Sequence, residues 1–324
     1  MIPMLAWFVF IILIALLAWL AVKFVTLRVI LALILTLPIL ISITYCVLRR
    51  SPVTDTNRGE FFKSLNVVSD RGETKGNAHE NTIAAFKQAK NAGADTIRMD
   101  IRMTKDGMLI VYKDAYVADY DNVTYEIEET HWAQLAKISV YGSKNSTILT
   151  FDEAVSWCQK NDINMLWHLP SFCGDLFTYL RNKIMQDGLY SRVAVTTYNF
   201  ISALRLRFCD SKLLIGFIWK STEMSMVNGN PVGSIWTQWM WSTLDSLNYW
   251  SVRSLLLTNF IGIDFIMTSV VDADKSLISD YAANKATTLV YELTTQAEKA
   301  YFSTQLNLPY MCSDLQFLKL NSTK

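Results

Sequence analysis

Two long apolar runs open the chain. No charged side chain occurs from Ile2 to Val22, and after Arg28 a second uncharged run extends from Val29 to Leu48 before Arg49 and Arg50. Each run is about 20 residues, enough at ~1.5 Å per residue to cross a hydrocarbon layer about 30 Å thick. The pattern predicts two transmembrane helices over residues 2–22 and 29–48, joined by a short linker from Lys23 to Arg28. One spanning helix with a second lying in the interface is an alternative, and a cleaved signal peptide is a third. The third is disfavoured because no basic region precedes the run, which exceeds the usual apolar length of about 7–15 residues. Lys23 and Arg28 on one side balance Arg49 and Arg50 on the other, so basic charge does not set the orientation.

After a polar stretch over 51–63 that reads as a linker, short β-branched runs alternate with helical patterns. Strands are predicted at 66–69, 96–101, 108–112, 163–168, 192–196, 213–217, 264–268 and 287–292. Helices are predicted at 81–92, 151–161, 174–186, 201–207, 273–283 and 295–303. This alternation predicts the α/β class with a parallel sheet, and about eight strands predict closure into a (β/α)8 TIM barrel over residues 64–324. An open doubly wound sheet is the alternative, disfavoured because no glycine-rich nucleotide loop is present.

One segment, over 221–263, breaks the rhythm. From Val232 to Ile263 the only charged residues are Asp245 and Arg253, while Trp236, Trp239, Trp241, Tyr249 and Trp250 crowd together with leucines. Trp236, Met240, Leu244, Leu247 and Ser251 recur at helical spacing. Tryptophan favours the membrane interface, so the stretch reads as an inserted helix that rests on the bilayer or roofs a pocket. An ordinary outer barrel helix is the competing reading.

Composition narrows the partners. The 324 residues carry 30 Lys and Arg against 29 Asp and Glu, a balance that offers nucleic acid no broad electrostatic attraction. Five dispersed cysteines, Cys46, Cys158, Cys173, Cys209 and Cys312, have neither zinc-site spacing nor the density of a disulfide scaffold. Asn122, Asn145 and Asn321 begin Asn-x-Ser/Thr triplets, which are glycosylation acceptors in a lumenal or extracellular domain. The expectation is an integral protein of an endomembrane or the plasma membrane, with its domain on that side.

Chemistry concentrates between Val67 and Asp114, which reads VVSDRG, HENTIAAF, GADTIRMDIRMTKDG and VYKD in order. Asp70 ends the first predicted strand, Arg98 and Asp100 lie on the second, Lys113 and Asp114 follow the third, and His168 ends the fourth. Barrels of this kind gather their working residues at such strand ends. The order and spacing resemble the glycerophosphodiester phosphodiesterase family, nearest its animal membrane-anchored members. The usual pattern of that family is HRG, PENT, GAD-x-hydrophobic-E-x-D, TKDG or TSDG, and HD.

The resemblance implies metal-dependent hydrolysis of glycerophosphodiesters in lipid metabolism, by two histidines acting as general acid and base. It implies a divalent cation, Mg or Ca, held by the Glu-x-Asp pair and a later carboxylate. It maps Asp70 and Lys113 onto the two histidines, Arg98 and Asp100 onto Glu-x-Asp, and His168 onto the later carboxylate. Of these only Asp100 keeps the expected type. Arg71, Gly72, Glu80, Asn81, Thr82, Asp106, Gly107 and Asp114 match the frame, Tyr291 stands where late-strand tryptophans form a pocket wall, and residues 309–314 resemble the final strand.

A cation at position 98 repels a metal, and a lysine serves poorly as a base near neutrality. The expectation is therefore a catalytically deficient protein with no metal. Three readings of the exchanges stand side by side. Arg71, Arg98 and Lys113 form an anion site for a glycerophosphodiester or lysophospholipid-type head group; or Arg98 pairs inertly with Asp70 or Asp100; or Asp70, Asp100 and His168 hold a metal in a rewired phosphodiesterase. In the last case His79 has a proton-transfer role open to it, while His131 beside Trp132 reads as structural. A non-enzymatic membrane interaction protein, acting through its aromatic insertion, is the remaining alternative.

Overall fold

The computed structural model describes residues 2–74, 78–119, 121–140, 147–169, 174–222, 225–227, 230–231 and 233–315. Asn145, Cys173 and Asn321 lie outside these residues. The chain divides into two compact units, Met1–Arg49 and Arg50–Lys324.

The first unit is one helix, Ile2–Leu48, of 47 residues. It replaces the expected pair, because the stretch Lys23 to Arg28 contains neither glycine nor proline, and the Thr26 hydroxyl bonds back to the Lys23 carbonyl (2.9 Å) instead of breaking the helix. Pro38 lies within the helix without ending it. Residues Leu13–Leu48 are long and apolar enough to cross a membrane.

The second unit is a closed parallel barrel of eight strands: β1 (Val67–Asp70), β2 (Thr96–Met103), β3 (Asn164–His168), β4 (Val193–Thr197), β5 (Leu214–Trp219), β6 (Phe265–Ser269), β7 (Thr287–Tyr291) and β8 (Tyr310–Cys312). Each pairs with the next in chain order, and β8 pairs with β1 to close the ring. Side chains alternate as a pleated strand requires. Val68, Leu166, Ala194, Leu214, Phe265, Met267 and Leu289 share the inner core. Their strand neighbours Ile97, Met99, Met165, Trp167, Val195 and Ile215 join the layer beneath the outer helices, with Phe86, Phe151, Leu180 and Leu206.

Two expectations change here. The predicted third strand is not a barrel strand: Leu109–Val111 pairs antiparallel with the far end of β2, Ile101 against Val111 and Met103 against Leu109. The eight-residue β2 overshoots the barrel, and the TKDG turn reverses the chain at once. In that turn the Thr104 hydroxyl donates to Asp106 (2.6 Å) and Gly107 takes φ 82°. A turn this short makes only an antiparallel hairpin, since a parallel neighbour needs a long crossover. Tyr310–Cys312 supplies the eighth strand instead.

The stretch 51–63 is no linker. Asp55 caps the helix Thr56–Ser64 by accepting from the Arg58 amide (3.1 Å), and Val53 and Phe61 are buried in the inner core. Asp264, fully buried just before β6, accepts from the Val53 amide (2.7 Å), the Ile215 amide (2.8 Å), Arg207 (2.6 Å) and Arg58 (3.0 Å). One carboxylate thus ties this segment to the N-terminal end of the barrel.

Candidate functional site

The frame motif folds into a set of clamps at the other end. Arg71 and Gly72 turn the chain out of β1 with φ 62° and 91°. Gly72 is required by space as well, because a Cβ there would lie 2.6 Å from the Cβ of Ala85. Asn81, also left-handed at φ 57°, donates its amide N–H to the Arg71 carbonyl (2.8 Å) and its side-chain Nδ2 to Asp100 (3.3 Å). Thr82 caps the helix Ile83–Ala92 by accepting from the Ala85 amide. The HENT motif therefore holds a turn, an arginine and a carboxylate at once.

Register sets the charged centre. Asp70 lies opposite Arg98 across β1 and β2, and Asp100 lies opposite His168 across β2 and β3. Arg98 donates from Nη1 to Asp70 Oδ1 and from Nη2 to Asp100 Oδ1 (3.2 Å). Arg71 donates from Nη2 to Asp70 Oδ2 (3.0 Å) and from Nη1 to Glu80 Oε2 (2.6 Å), while its Nε faces Asp100 Oδ2 at 3.3 Å. Three carboxylates against two guanidiniums leave one net negative charge on the cluster.

Burial opposes the charge on Arg98, and Asp70 and Asp100 outweigh it, so the guanidinium is held above its ordinary value. The same balance holds Arg71 up. Burial pushes the Asp100 carboxyl above its ordinary value, against the pull of Arg98 and Arg71. His168 is driven well below 6.5 by burial and then by Arg98, so its imidazole is neutral. Its Nδ1 lies 3.4 Å from the Thr196 hydroxyl, and its ring meets Tyr198 edge-on at 5.1 Å.

A cavity of about 570 Å³ opens over the strand ends. Asp70, Arg71 and Arg98 form its charged side; Ile218, Met267, Tyr291, Leu293 and Met311 form an apolar side; Tyr198, Glu292, Thr294, Cys312, Ser313 and Asp314 complete the lining. The Tyr291 hydroxyl donates to the Trp219 carbonyl (3.3 Å), which fixes that wall.

Sequence-predicted residues divide between these surroundings. Asp70, Arg71, Arg98 and Tyr291 line the cavity; Asp100 and Asn81 are buried behind it, and Glu80 braces Arg71. The expected triad of cations is not assembled. Lys113 is outside the lining and exposed, with Asp114 beside it, because its carbonyl is held by Arg102 (Nε 3.1 Å, Nη2 2.9 Å) on the hairpin that left the barrel.

Asp70, Asp100 and His168 are the ligands that the rewired alternative would use. Arg98 fills the space between the two carboxylates, and among the described residues no three His, Cys, Asp or Glu side chains could together hold a metal ion. Sequence reasoning missed Tyr198, Glu292 and the buried Glu73, whose carboxylate accepts from the Leu315 amide (2.7 Å). None carries a motif; the positions of Tyr198 and Glu292, each just after a strand end, are the signal that could have found those two.

Residues 71–308 match the family model described as Glycerophosphoryl diester phosphodiesterase family. The chain belongs to this family. It is similar to Glycerophosphodiester phosphodiesterase 1 of Bos taurus, 22% identical over 261 residues that cover 78% of each chain. Among solved structures, a glycerophosphodiester phosphodiesterase from Agrobacterium tumefaciens shares the fold with a TM-score of 0.61 at 15% identity, over 78% of this chain and 99% of that one. An Oleispira antarctica phosphodiesterase, solved with the product sn-glycerol-3-phosphate, has a TM-score of 0.58 at 15% identity over 80% of this chain and 98% of that one. Members of the family bind glycerophosphodiester substrates and usually use a divalent metal. In this member the residues at the expected metal position are Arg98 and Asp100, a donor set that does not fit such an ion.

Proposed function

We propose that this is a membrane-anchored glycerophosphodiester phosphodiesterase-family protein in which the family's hydrolysis is impaired and the pocket binds a lipid-derived phosphodiester. The observation that carries the reading is Arg98, buried and ion-paired to both Asp70 and Asp100. The guanidinium offers the carboxylates a positive charge from the protein itself, and it has no vacant orbital with which to polarise a phosphoryl oxygen or activate water as a metal does. General acid and base groups contribute roughly 10²–10⁴ each in rate, and Asp70 and Lys113 in place of histidines forfeit much of that.

Binding is supported by the cavity. Arg71 and Arg98 reach its charged side, where they can donate to phosphate oxygens, while Glu292 and Asp314 line it as well. Because the cluster carries one net negative charge, a bare phosphate is poorly matched. A zwitterionic ligand is better matched: phosphate toward the arginines, ammonium toward the carboxylates and the faces of Tyr291 and Tyr198. Glycerophosphodiesters and lysophospholipids with amine head groups have this form, and the apolar side accommodates their carbon skeleton.

Anchoring is supported by the helix Leu13–Leu48. A lumenal or extracellular domain is supported by Asn122, exposed in a turn. The test is calorimetric titration of the purified full chain with glycerophosphocholine in EDTA. Saturable heat that weakens in Arg71→Gln supports the reading; an absence of heat with the native chain overturns it.

A further inference from the structure

The helix Ile235–Arg253 follows β5 and turns its apolar side outward. Trp236 is 85% exposed, Trp239 70% and Trp250 60%, and Met240 and Leu247 are exposed beside them. At 3.6 residues per turn these five side chains fall on one stripe, with no charged residue among them. The opposite face is the anchored one: buried Asp245 accepts from the Ser225 amide (2.8 Å), Val252 is buried, and Tyr249 packs on Trp219 with ring centroids 5.9 Å apart. Among the described residues none of the helix lines the cavity over the strand ends, which favours the reading at the bilayer over that of a roof.

The geometry points to this stripe as a surface that lies in the head-group region of a lipid bilayer. Three tryptophans among apolar neighbours suit that region, where an indole ring finds apolar contact and its N–H finds a polar partner. A monomer rarely leaves so much contiguous aromatic surface in water. The bilayer is the occupant because the chain carries its own span-length apolar helix, which ends at Leu48, and the inference rests on reading that helix as an anchor. The barrel unit begins two residues later, and the Arg50 amide donates to the Phe260 carbonyl (2.9 Å) in the short helix that follows the aromatic one. The short helix after the insertion is thus bonded to the first residue of the barrel unit. A tether this short gives the stripe a high effective concentration of membrane.

The test uses the full chain in lipid nanodiscs, with exposed Cys46 and Cys209, and Cys173, replaced by serine. Cys312, which lines the cavity, is replaced by alanine, and the buried Cys158 remains. An NBD fluorophore is placed singly at Leu247→Cys, at Leu35→Cys in the N-terminal helix, and at Lys87→Cys on the opposite side of the barrel. The expected result is a blue-shifted Leu247 probe, quenched by spin-labelled head groups and shielded from iodide, with the Lys87 probe quenched by iodide. Quenching of the Leu247 probe by iodide as strongly as the Lys87 probe overturns the inference. So does shielding from both quenchers, which would mean that a second protein surface covers the stripe. A lipid-buried Leu35 probe alongside either result leaves the anchor standing, whereas an iodide-accessible Leu35 probe removes the anchor itself. The same measurement at Trp239→Cys guards against a local effect of one label.

Discussion

The guanidinium of Arg98 rests against the carboxylate of Asp70, its direct neighbour across the β1–β2 pairing. The second terminal nitrogen of the same guanidinium reaches Asp100, two residues along β2, so one cation pairs with a carboxylate at the cavity wall and with a second that is buried behind it. Removing it leaves Arg71 as the one cation set among Asp70, Asp100 and Glu80.

Arg98→Met is therefore expected to destabilise the barrel by about 3–5 kcal/mol, the usual effect of deleting one partner from a buried ion pair. The triple variant Asp70→Asn, Arg98→Met, Asp100→Asn should recover most of that loss, because no unpaired charge remains. Thermal unfolding of both proteins in detergent measures the difference. Equal loss in the two would show that packing by the arginine stem, not charge, is what matters.

His168 makes the barrel sensitive to mild acid. Its folded pKa is depressed well below 6.5 by burial and by Arg98, while the unfolded chain takes up a proton near 6.5. The unfolded state binds the extra proton in that window, so the contribution is complete above it and declines as pH falls below about 6.5, by about 1.4 kcal/mol per unit for one proton. Unfolding midpoints between pH 5 and 8 should show this slope, and His168→Asn should flatten it.

Asp264 carries the clasp at the other end of the barrel. Asp264→Ala leaves Arg207, which is buried, without its carboxylate and two buried amides without their acceptor. A loss of about 3–5 kcal/mol is expected. Hydrogen exchange over residues 53–64 should accelerate first, because the Val53 and Arg58 attachments go with it.

Two glycines of the frame separate space from backbone strain. Gly72→Ala meets Ala85 at 2.6 Å and also carries φ 91°, so overpacking adds about 1–3 kcal/mol to the left-handed penalty. Gly107→Ala, at φ 82° with open space around it, should cost only the backbone term of about 1–2 kcal/mol. Unfolding midpoints of the two variants test the ranking.

The barrel was legible because alternating β-branched and helical patterns mark βα units, and the RG, HENT and TKDG elements occur in order. The hairpin over 109–111 was not legible as such: a strand that follows a four-residue turn looks locally like any other strand, and only pairing direction separates it from the barrel. Residues 51–63 looked like linker because their composition is polar, while the features that dock them, Asp264 and the barrel's open apolar end, lie about two hundred residues away. The exchange of Glu-x-Asp for Arg98 and Asp100 could be read directly from the chain. Pairing of Arg98 with Asp70 or Asp100 is one of the three readings the chain leaves open, and sheet register, which sets Asp70 opposite Arg98, decides that it pairs with both. Lys113 shows the converse: its motif position suggested a third cation at the site, and the hairpin carries it outside the cavity lining.

The most direct test of the central claim follows release of glycerol phosphate from glycerophosphocholine by the purified full chain, with Mg or Ca present and with EDTA. Binding without measurable release under either condition is the predicted result. Metal-dependent release that disappears in Asp100→Ala would contradict it, by showing that the site admits an ion despite Arg98.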